Sequence, residues 1–239
     1  MSILWETSDS AEGACPPSPL VTRRSVRKYL DKPVPDDLLK QVLVKARWAP
    51  STINSQSTLV YALSGEPFEK FKAEVRQRSE DNLPADTDLP IGGPWTPAQE
   101  DRIKELRQIR STWCAAEEER LGLPPDPPPS NPSVGGAAVH GAPLLLVLAF
   151  DKAMAFNTGC FDAGIFAMAI TLAAQEHGLG TCIVANPMRY SDLVRKYVSG
   201  LDDKTVAIGI ALGYPDPDAI VNRFPRSRIL PKDYLTFVR

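Results

Sequence analysis

The sequence predicts a single layered domain of the α/β or α+β class, and three observations carry that expectation. Short apolar or β-branched runs alternate with amphipathic stretches of helical period. The elements follow the order β-α-(insertion)-β-α-β-α-β. The run 143–150, PLLLVLAF, is apolar on both alternating faces, the pattern of a central strand covered on each side. Of the 239 residues 43% are hydrophobic, enough for one substantial core.

The N-terminal MSILWETSDSAEGACPPSP has acids and prolines where a secretory signal has a basic region ahead of an apolar core. Residues 1–19 are therefore expected to be a flexible arm on a cytoplasmic protein. In 33–50, Leu38, Leu39, Val42, Leu43 and Ala46 share one helical face, with Asp36 and Asp37 in the first turn, Lys45 and Arg47 in the last, and Pro50 as the stop. TLVYAL, 58–63, is strand-like and closed by Ser64 and Gly65; 67–79 is a charged amphipathic helix.

From about 83 to 134 the character changes to that of an insertion. A helix is expected over 97–121, followed by a segment in which six of the nine residues 124–132 are proline. Ile103, Leu106, Ile109 and Trp113 make a stripe that can pack downward, leaving Arg102, Lys104, Arg107 and residues 117–119 to water. Trp95 and Trp113 read as packing anchors or as parts of a lid over a pocket. After the central strand, 161–177 carries Ile165, Phe166, Met168, Ala169, Leu172 and Ala173 and is rich in small residues. This predicts a helix buried on nearly every side, inside the domain or in a subunit interface. Gly178, Leu179 and Gly180 cap it; a strand over 181–185, a helix over 190–198 and a last strand over 204–212 follow.

Several classes of function find no support. The longest apolar run, 142–150, is too short to span a bilayer and contains Pro143. A formal net charge of −2 argues against a nucleic-acid partner. Cys15, Cys114, Cys160 and Cys182 form no CxxC pair, and His140 and His177 stand alone in the sequence, which supports neither a disulfide framework nor a metal site. The cysteines read as buried, inert thiols, with a Cys-His nucleophile pair as the alternative. GxGxxG, GxxxxGK[ST] and GxSxG are absent. The pairs Asp36, Asp37 and Asp202, Asp203 read as solvated helix starts or turns.

What remains is basic charge in two places. TRRSVRKYL holds Arg23, Arg24 and Arg27 around Ser25, and NRFPRSR holds Arg223, Arg226 and Arg228. Guanidinium forks beside hydroxyls suit a phosphate; two solvated basic faces are the alternative. A third stretch, WAPSTINSQ, brings Ser51, Thr52, Asn54, Ser55 and Gln56 together after a proline-stopped helix. Such amide and hydroxyl density can bind a heteroaromatic edge or a polyhydroxyl chain, and a plain capping turn has the same composition.

Taken together, RRSVRKY, PVPDDLLKQVLVKARWAPSTINSQ, APLLLVLAFD, FDAGIFAMAITLAAQEHGLGTC and IALGYPDPDAIVNRFPRSR resemble, in order and spacing, the FMN-dependent nitroreductase family. The resemblance implies the α+β nitroreductase fold over 20–239, a mainly antiparallel sheet flanked by helices. It also implies an intertwined homodimer whose C-terminal extension, about 224–239, crosses to the partner. It implies that Arg23, Ser25 and Arg27 hold the FMN phosphate and the flavin's polar edge, that Arg24 contributes mainly through its backbone, and that Arg226 and Arg228 complete the phosphate grip. Pro50, Ser51, Thr52, Asn54 and Gln56 would flank the flavin from the other subunit, and Val184, Ala185 and Asn186 would place backbone groups near flavin N5. Trp95, Trp113 and Phe161 are candidate walls of the substrate pocket.

Two departures stand out. Ser57 and Thr58 follow Asn-Ser-Gln where the family has Pro-Trp, and SVGGAAVHG, 133–141, lacks the Asn and Lys that some members place on the flavin, leaving His140 as a substitute or a structural histidine. The implied activity is transfer of electrons from NADH or NADPH to a small nitroaromatic or quinone-like acceptor by a ping-pong mechanism. Arg27 is then the candidate stabiliser of reduced flavin, no side-chain general acid is required, and the insertion controls acceptor choice. Reductive dehalogenation and flavin fragmentation are alternatives on the same scaffold. The arginine clusters alone also suit a non-catalytic nucleotide-binding regulator.

Overall fold

Seven of the eight residues of the strand Leu144–Asp151 are buried, and its alternating side chains supply two different cores. Leu145, Val147 and Ala149 face a cluster containing Phe68, Phe71, Val75, Leu193 and Val194. Leu144, Leu146 and Leu148 face Val42, Ala46, Ala167, Ile170 and Ala174. The period of two thus puts helices on both faces of the sheet, as the doubly apolar run predicts. The computed structural model describes residues 18–90, 92–124 and 139–239; the arm expected over 1–19, except its last two residues, and most of the proline-rich stretch lie outside them.

Numbered in chain order, the strands are β1 (Leu59–Ser64), β2 (Leu144–Asp151), β3 (Gly180–Val184) and β4 (Lys204–Gly213). They form one antiparallel sheet of order β1-β2-β4-β3, with a register irregularity in the β2–β4 pairing between Leu148 and Ala149. The helices are α1 (Pro19–Thr22, a single turn), α2 (Asp36–Ala46), α3 (Gly65–Glu80), α4 (Pro97–Leu121), α5 (Phe156–Glu176) and α6 (Ser191–Tyr197). α3 and α6 cover one face of the sheet, α2 and α5 the other.

The stretch assigned to the insertion begins inside the core framework. The Asp86 carboxylate caps α6 by accepting from the N–H groups of Ser191 (2.7 Å) and Asp192 (3.0 Å). Asp88 pairs with Arg195 and accepts from the N–H of Val206 at 2.8 Å. α4 has the ends its sequence predicts, a capping box between Thr96 and Gln99 and a left-handed Gly122 after its last turn. It leans on the turn Ile220–Asn222 and buries no residue fully. Ile103, Ile109 and Trp113 of the expected stripe are half-buried, joined by Arg110, Cys114 and Glu117, while Leu106 is exposed because so short a contact covers little of the helix.

α5 departs from its expectation. Gly159, Asp162, Ala163, Ala167, Ile170, Thr171 and Ala174 are buried, but Phe161 is 66% exposed and Gly164, Ile165, Met168 and Leu172 line the same accessible side. Burial on nearly every side is therefore not reached within one chain. By length and composition α5 also matches a membrane span, beyond the shorter run visible in the sequence; its packing on α2, β2 and β3 makes it the core helix of this layer.

Candidate functional site

The N-terminal basic segment is laid against the edge of β3. Ser25 bridges Thr181 in parallel, and the Val26 N–H donates to the Thr181 carbonyl at 2.9 Å. Gly180 makes this approach possible: a Cβ there would stand 2.6 Å from Val26 Cγ2 and 2.7 Å from Pro215 Cγ. The C-terminal basic segment meets it. Asn222, buried, accepts from the Arg27 N–H at 2.8 Å and donates to the carbonyls of Lys28 (2.8 Å) and Asp216 (3.1 Å). The Arg24 guanidinium donates to the Phe224 carbonyl, and Arg226 donates to the carbonyls of Arg23 and, at 3.0 Å, Val21. The buried Phe224 ring lies 5.8 Å from the Arg24 guanidinium and 5.7 Å from that of Arg27. The two arginine clusters thus form one site. Arg228 is exposed at its margin, and Arg223, also exposed, turns back to the Asp218 carbonyl.

This junction is electrostatically incomplete. None of Arg23, Arg24, Arg27, Arg226 and Arg228 is paired with a carboxylate among the described residues. Burial and the neighbouring guanidiniums of Arg24, Arg228 and Arg23 push Arg226 down to about 10; burial and Arg27 lower Arg24. Arg23 Nε is buried with no acceptor, and Arg23 and Arg24 line a recess of about 190 Å³ together with Gln175, Thr181 and Asn222. Each guanidinium carries five N–H donors, so the carbonyl contacts of Arg24 and Arg226 leave others available.

The third stretch is an exposed, hydrogen-bonded turn. Ser51 Oγ accepts from the Gln56 N–H at 2.9 Å, and Ile53, Asn54 and Gln56 have φ of 47°, 59° and 49°. The left-handed region is a clear outlier for a β-branched residue and costs on the order of 1–3 kcal/mol. Ile53 is nonetheless 96% exposed, so burial of its side chain does not hold it there. The restraint comes from α5: the Asp162 carboxylate accepts from the Thr52 N–H (3.0 Å), Thr52 Oγ1 (2.9 Å), Ser55 Oγ (3.1 Å) and Ser57 Oγ (3.0 Å). Burial raises the pKa of Asp162, but these donors outweigh it and hold the carboxyl below its usual range. Asp162 was missed among the sequence candidates; an acid on the otherwise apolar stretch 159–174 was the available signal. No hydrogen bond or ring contact among the described residues joins this turn to the arginine junction within one chain.

The remaining candidates are dispersed. Val184 ends β3, buried; Ala185 and Asn186, half-buried, lead into the turn Asn186–Arg189. Trp95 is exposed ahead of α4, Trp113 half-buried on it, and Phe161 exposed on α5, and the described ring contacts do not unite them. His140, at φ 55°, is pushed down to about 4 by burial and by Arg27 and Arg110, which brings an α4 residue into the field of the junction that the sequence did not single out. Burial pushes the Cys160 and Cys182 thiols up, so neither has the lowered pKa of a nucleophile. No metal-binding cluster is present among the described residues.

Comparison with known proteins places this architecture. The model of the Nitroreductase family matches residues 20–214. A 4-nitrobenzoate reductase of Pseudomonas putida is 24% identical over 92% of this chain and 93% of its own, and a nitrobenzene nitroreductase of Ectopseudomonas oleovorans 27% identical over 90% and 93%. The crystal structure of the FMN and NADPH-dependent nitroreductase NfnB from Sphigopyxis sp. strain HMH superposes with a TM-score of 0.79 at 25% identity, covering 92% of this chain and 97% of that one. With its antiparallel sheet clad by helices and its matched span, the chain belongs to the nitroreductase family.

Proposed function

We propose that this chain is an FMN-dependent oxidoreductase that takes reducing equivalents from NADH or NADPH and delivers them to small nitroaromatic or quinone-like acceptors. One observation carries the reading: residues 23–27 and 222–226 converge into a set of arginines with a buried, unpartnered N–H and, among the described residues, no paired carboxylate. A phosphate fits that deficit, accepting charge-assisted hydrogen bonds while relieving the mutual repulsion of the guanidiniums. In this reading Arg23, Ser25 and Arg27 hold the FMN phosphate and polar edge, and Arg226 and Arg228 complete the grip. Arg24, one guanidinium nitrogen of which donates to the Phe224 carbonyl, contributes mainly through its backbone, as the family resemblance implies. Val184, Ala185 and Asn186 offer main-chain groups to the ring.

FMN held by these residues would supply the redox chemistry between the nicotinamide and the acceptor. The chain's own part is placement and charge. Arg27, fixed through its backbone by Asn222 and near the face of Phe224, is the cation available to the ring's electron-rich edge. Solvent serves as the proton source, so no side-chain general acid is assigned. The names of the two relatives point to nitroarenes as acceptors. α4, leaning on the turn that carries Asn222, is positioned to influence acceptor choice, with Trp95, Trp113 and Phe161 as wall candidates.

The working unit we propose is a homodimer in the cytoplasm. The uncovered apolar side of α5, the exposed Trp48 and Ile53, and the exposed Tyr234, Phe237 and Val238 offer surface for a second copy. Pro50, Ser51, Thr52, Asn54 and Gln56 would then flank the flavin of the partner. Phe224 and Arg226 are tied into their own chain, so the part of the C-terminal extension able to cross begins after Arg226. Cys160 and Cys182 are in no disulfide among the described residues, which suits a reducing compartment.

The test is a visible spectrum of the purified protein, followed by anaerobic titration with NADH and NADPH and reoxidation by a nitroarene. A flavin band that bleaches and returns is the expected result. A colourless protein that takes up no added FMN overturns the reading.

A further inference from the structure

The Asp162 carboxylate, 2% exposed on α5, is satisfied by one short segment: four hydrogen bonds of 2.9–3.1 Å come from Thr52, Ser55 and Ser57. No cation pairs with it among the described residues. A buried carboxylate without a cation is tolerated when converging donors replace its water, so carboxylate and turn hold each other in place. Ser57 stands where the family resemblance expects proline, and its hydroxyl supplies one of the two donors to Oδ2. What the clamp secures is an outward surface. Ile53, Asn54 and Gln56 are exposed, and each has positive φ, a conformation that persists only when its surroundings over-determine it.

We propose that Asp162 is the positioning residue of the flavin-flanking turn, its carboxylate holding residues 51–57 in the one conformation that presents Ser51 and Asn54 to the ring and ribityl chain. The proposal rests on the FMN reading above. It assigns Asp162 no contact with flavin; its effect passes through the turn. It also separates two halves of the cofactor site. The arginine junction reads the phosphate, and the Asp162 clamp acts on the part of the ligand that FMN shares with riboflavin.

That separation gives the test. FMN and riboflavin affinities are measured by fluorescence for the wild type, Asp162→Asn, Ser57→Ala and Arg23→Ala, with a thermal melt for each and the visible circular dichroism of the bound flavin. Asp162→Asn is expected to weaken FMN and riboflavin by the same factor, about tenfold or more, and to change the visible dichroism. Ser57→Ala is expected to do the same to a smaller degree, whereas Arg23→Ala weakens FMN selectively. Should Asp162→Asn not fold, Ser57→Ala, which leaves three of the four bonds, decides alone. Lower melting temperatures with wild-type affinities and dichroism make Asp162 merely structural and overturn the proposal. A wild type that binds no flavin overturns the FMN reading and this proposal with it, whereas a flavin-binding wild type with unaffected variants overturns only this one.

Discussion

Arg27 and Asn222, 195 residues apart, are joined by a 2.8 Å hydrogen bond from the backbone N–H of the arginine to Oδ1 of the asparagine. The amide nitrogen of Asn222 meanwhile donates to the carbonyls of Lys28 and Asp216. One buried side chain thereby fixes the segment that carries the N-terminal arginines against the turn that precedes the C-terminal ones. Asn222→Ala leaves one N–H and two carbonyls short of a partner, and is expected to lower stability by about 2–4 kcal/mol in urea unfolding. FMN affinity should fall with it. Asn222→Asp keeps the acceptor for Arg27 but sets a carboxylate oxygen against the carbonyls of Lys28 and Asp216, so it should not restore wild-type stability.

Arg23 and Arg223 offer a matched pair for testing the phosphate grip. Arg23 has a buried, unpartnered Nε in the recess, whereas Arg223 is exposed and turned back on its own turn. Arg23→Ala should weaken FMN roughly 10- to 100-fold, the equivalent of a charge-assisted contact of about 1.5–3 kcal/mol. Arg228→Ala should follow it, and Arg223→Ala should bind FMN as the wild type does. Fluorescence titration of the three apoproteins checks the ranking.

Gly180 sets the spacing between β3 and the basic segment. A Cβ placed 2.6 Å from Val26 Cγ2 and 2.7 Å from Pro215 Cγ forces the two strands of chain apart. Gly180→Ala is expected to cost about 1–3 kcal/mol of stability, with loss of FMN affinity even though no cofactor-binding side chain has changed. Thermal melts with and without FMN separate the two effects.

His140 predicts a pH dependence with a definite sign. Its folded pKa of about 4 lies below the unfolded value near 6.5 because burial, Arg27 and Arg110 disfavour the imidazolium. Between those values the unfolded chain binds a proton that the folded chain does not, so stability rises with pH across the window and is lost as pH falls towards 4. The contribution is of the order of 3 kcal/mol between pH 7 and 4, at about 1.36 kcal/mol per pKa unit. In His140→Gln the difference in unfolding free energy between pH 4.5 and 7 should shrink accordingly.

Much of this architecture is written locally. The strand alternation of 143–150, the apolar spacing of α2 and the capping residues of α4 act over a few positions, and the structure has those elements where they were expected. The features that needed coordinates are pairings across the chain. Asp86 and Asp88 read as the start of an insertion and instead cap α6 and brace β4 from more than a hundred residues away. Asp162 shows as an isolated acid on an apolar helix, and its donors lie 105–110 residues earlier. Arg110 has helical surroundings in the sequence, and only folding brings it near Arg27. The accessible side of α5 was illegible for another reason: an apolar circumference looks alike whether its own domain or another copy covers it.

The unpaired arginines finally change what the cofactor is to the folded chain. With like charges held close by backbone ties and no acid among the described residues to neutralise them, the apoprotein folds against its own field. If the FMN phosphate enters there as proposed, part of its binding energy is the discharge of that repulsion, and binding as a whole adds by mass action about 2.7 kcal/mol to folding at a hundred times the dissociation constant. Raised salt should steady the empty protein while loosening the filled one, the opposite signs coming from one set of side chains. On the proposed site map, the ligand that supplies the chemistry would at the same time be the missing counter-ion of the fold.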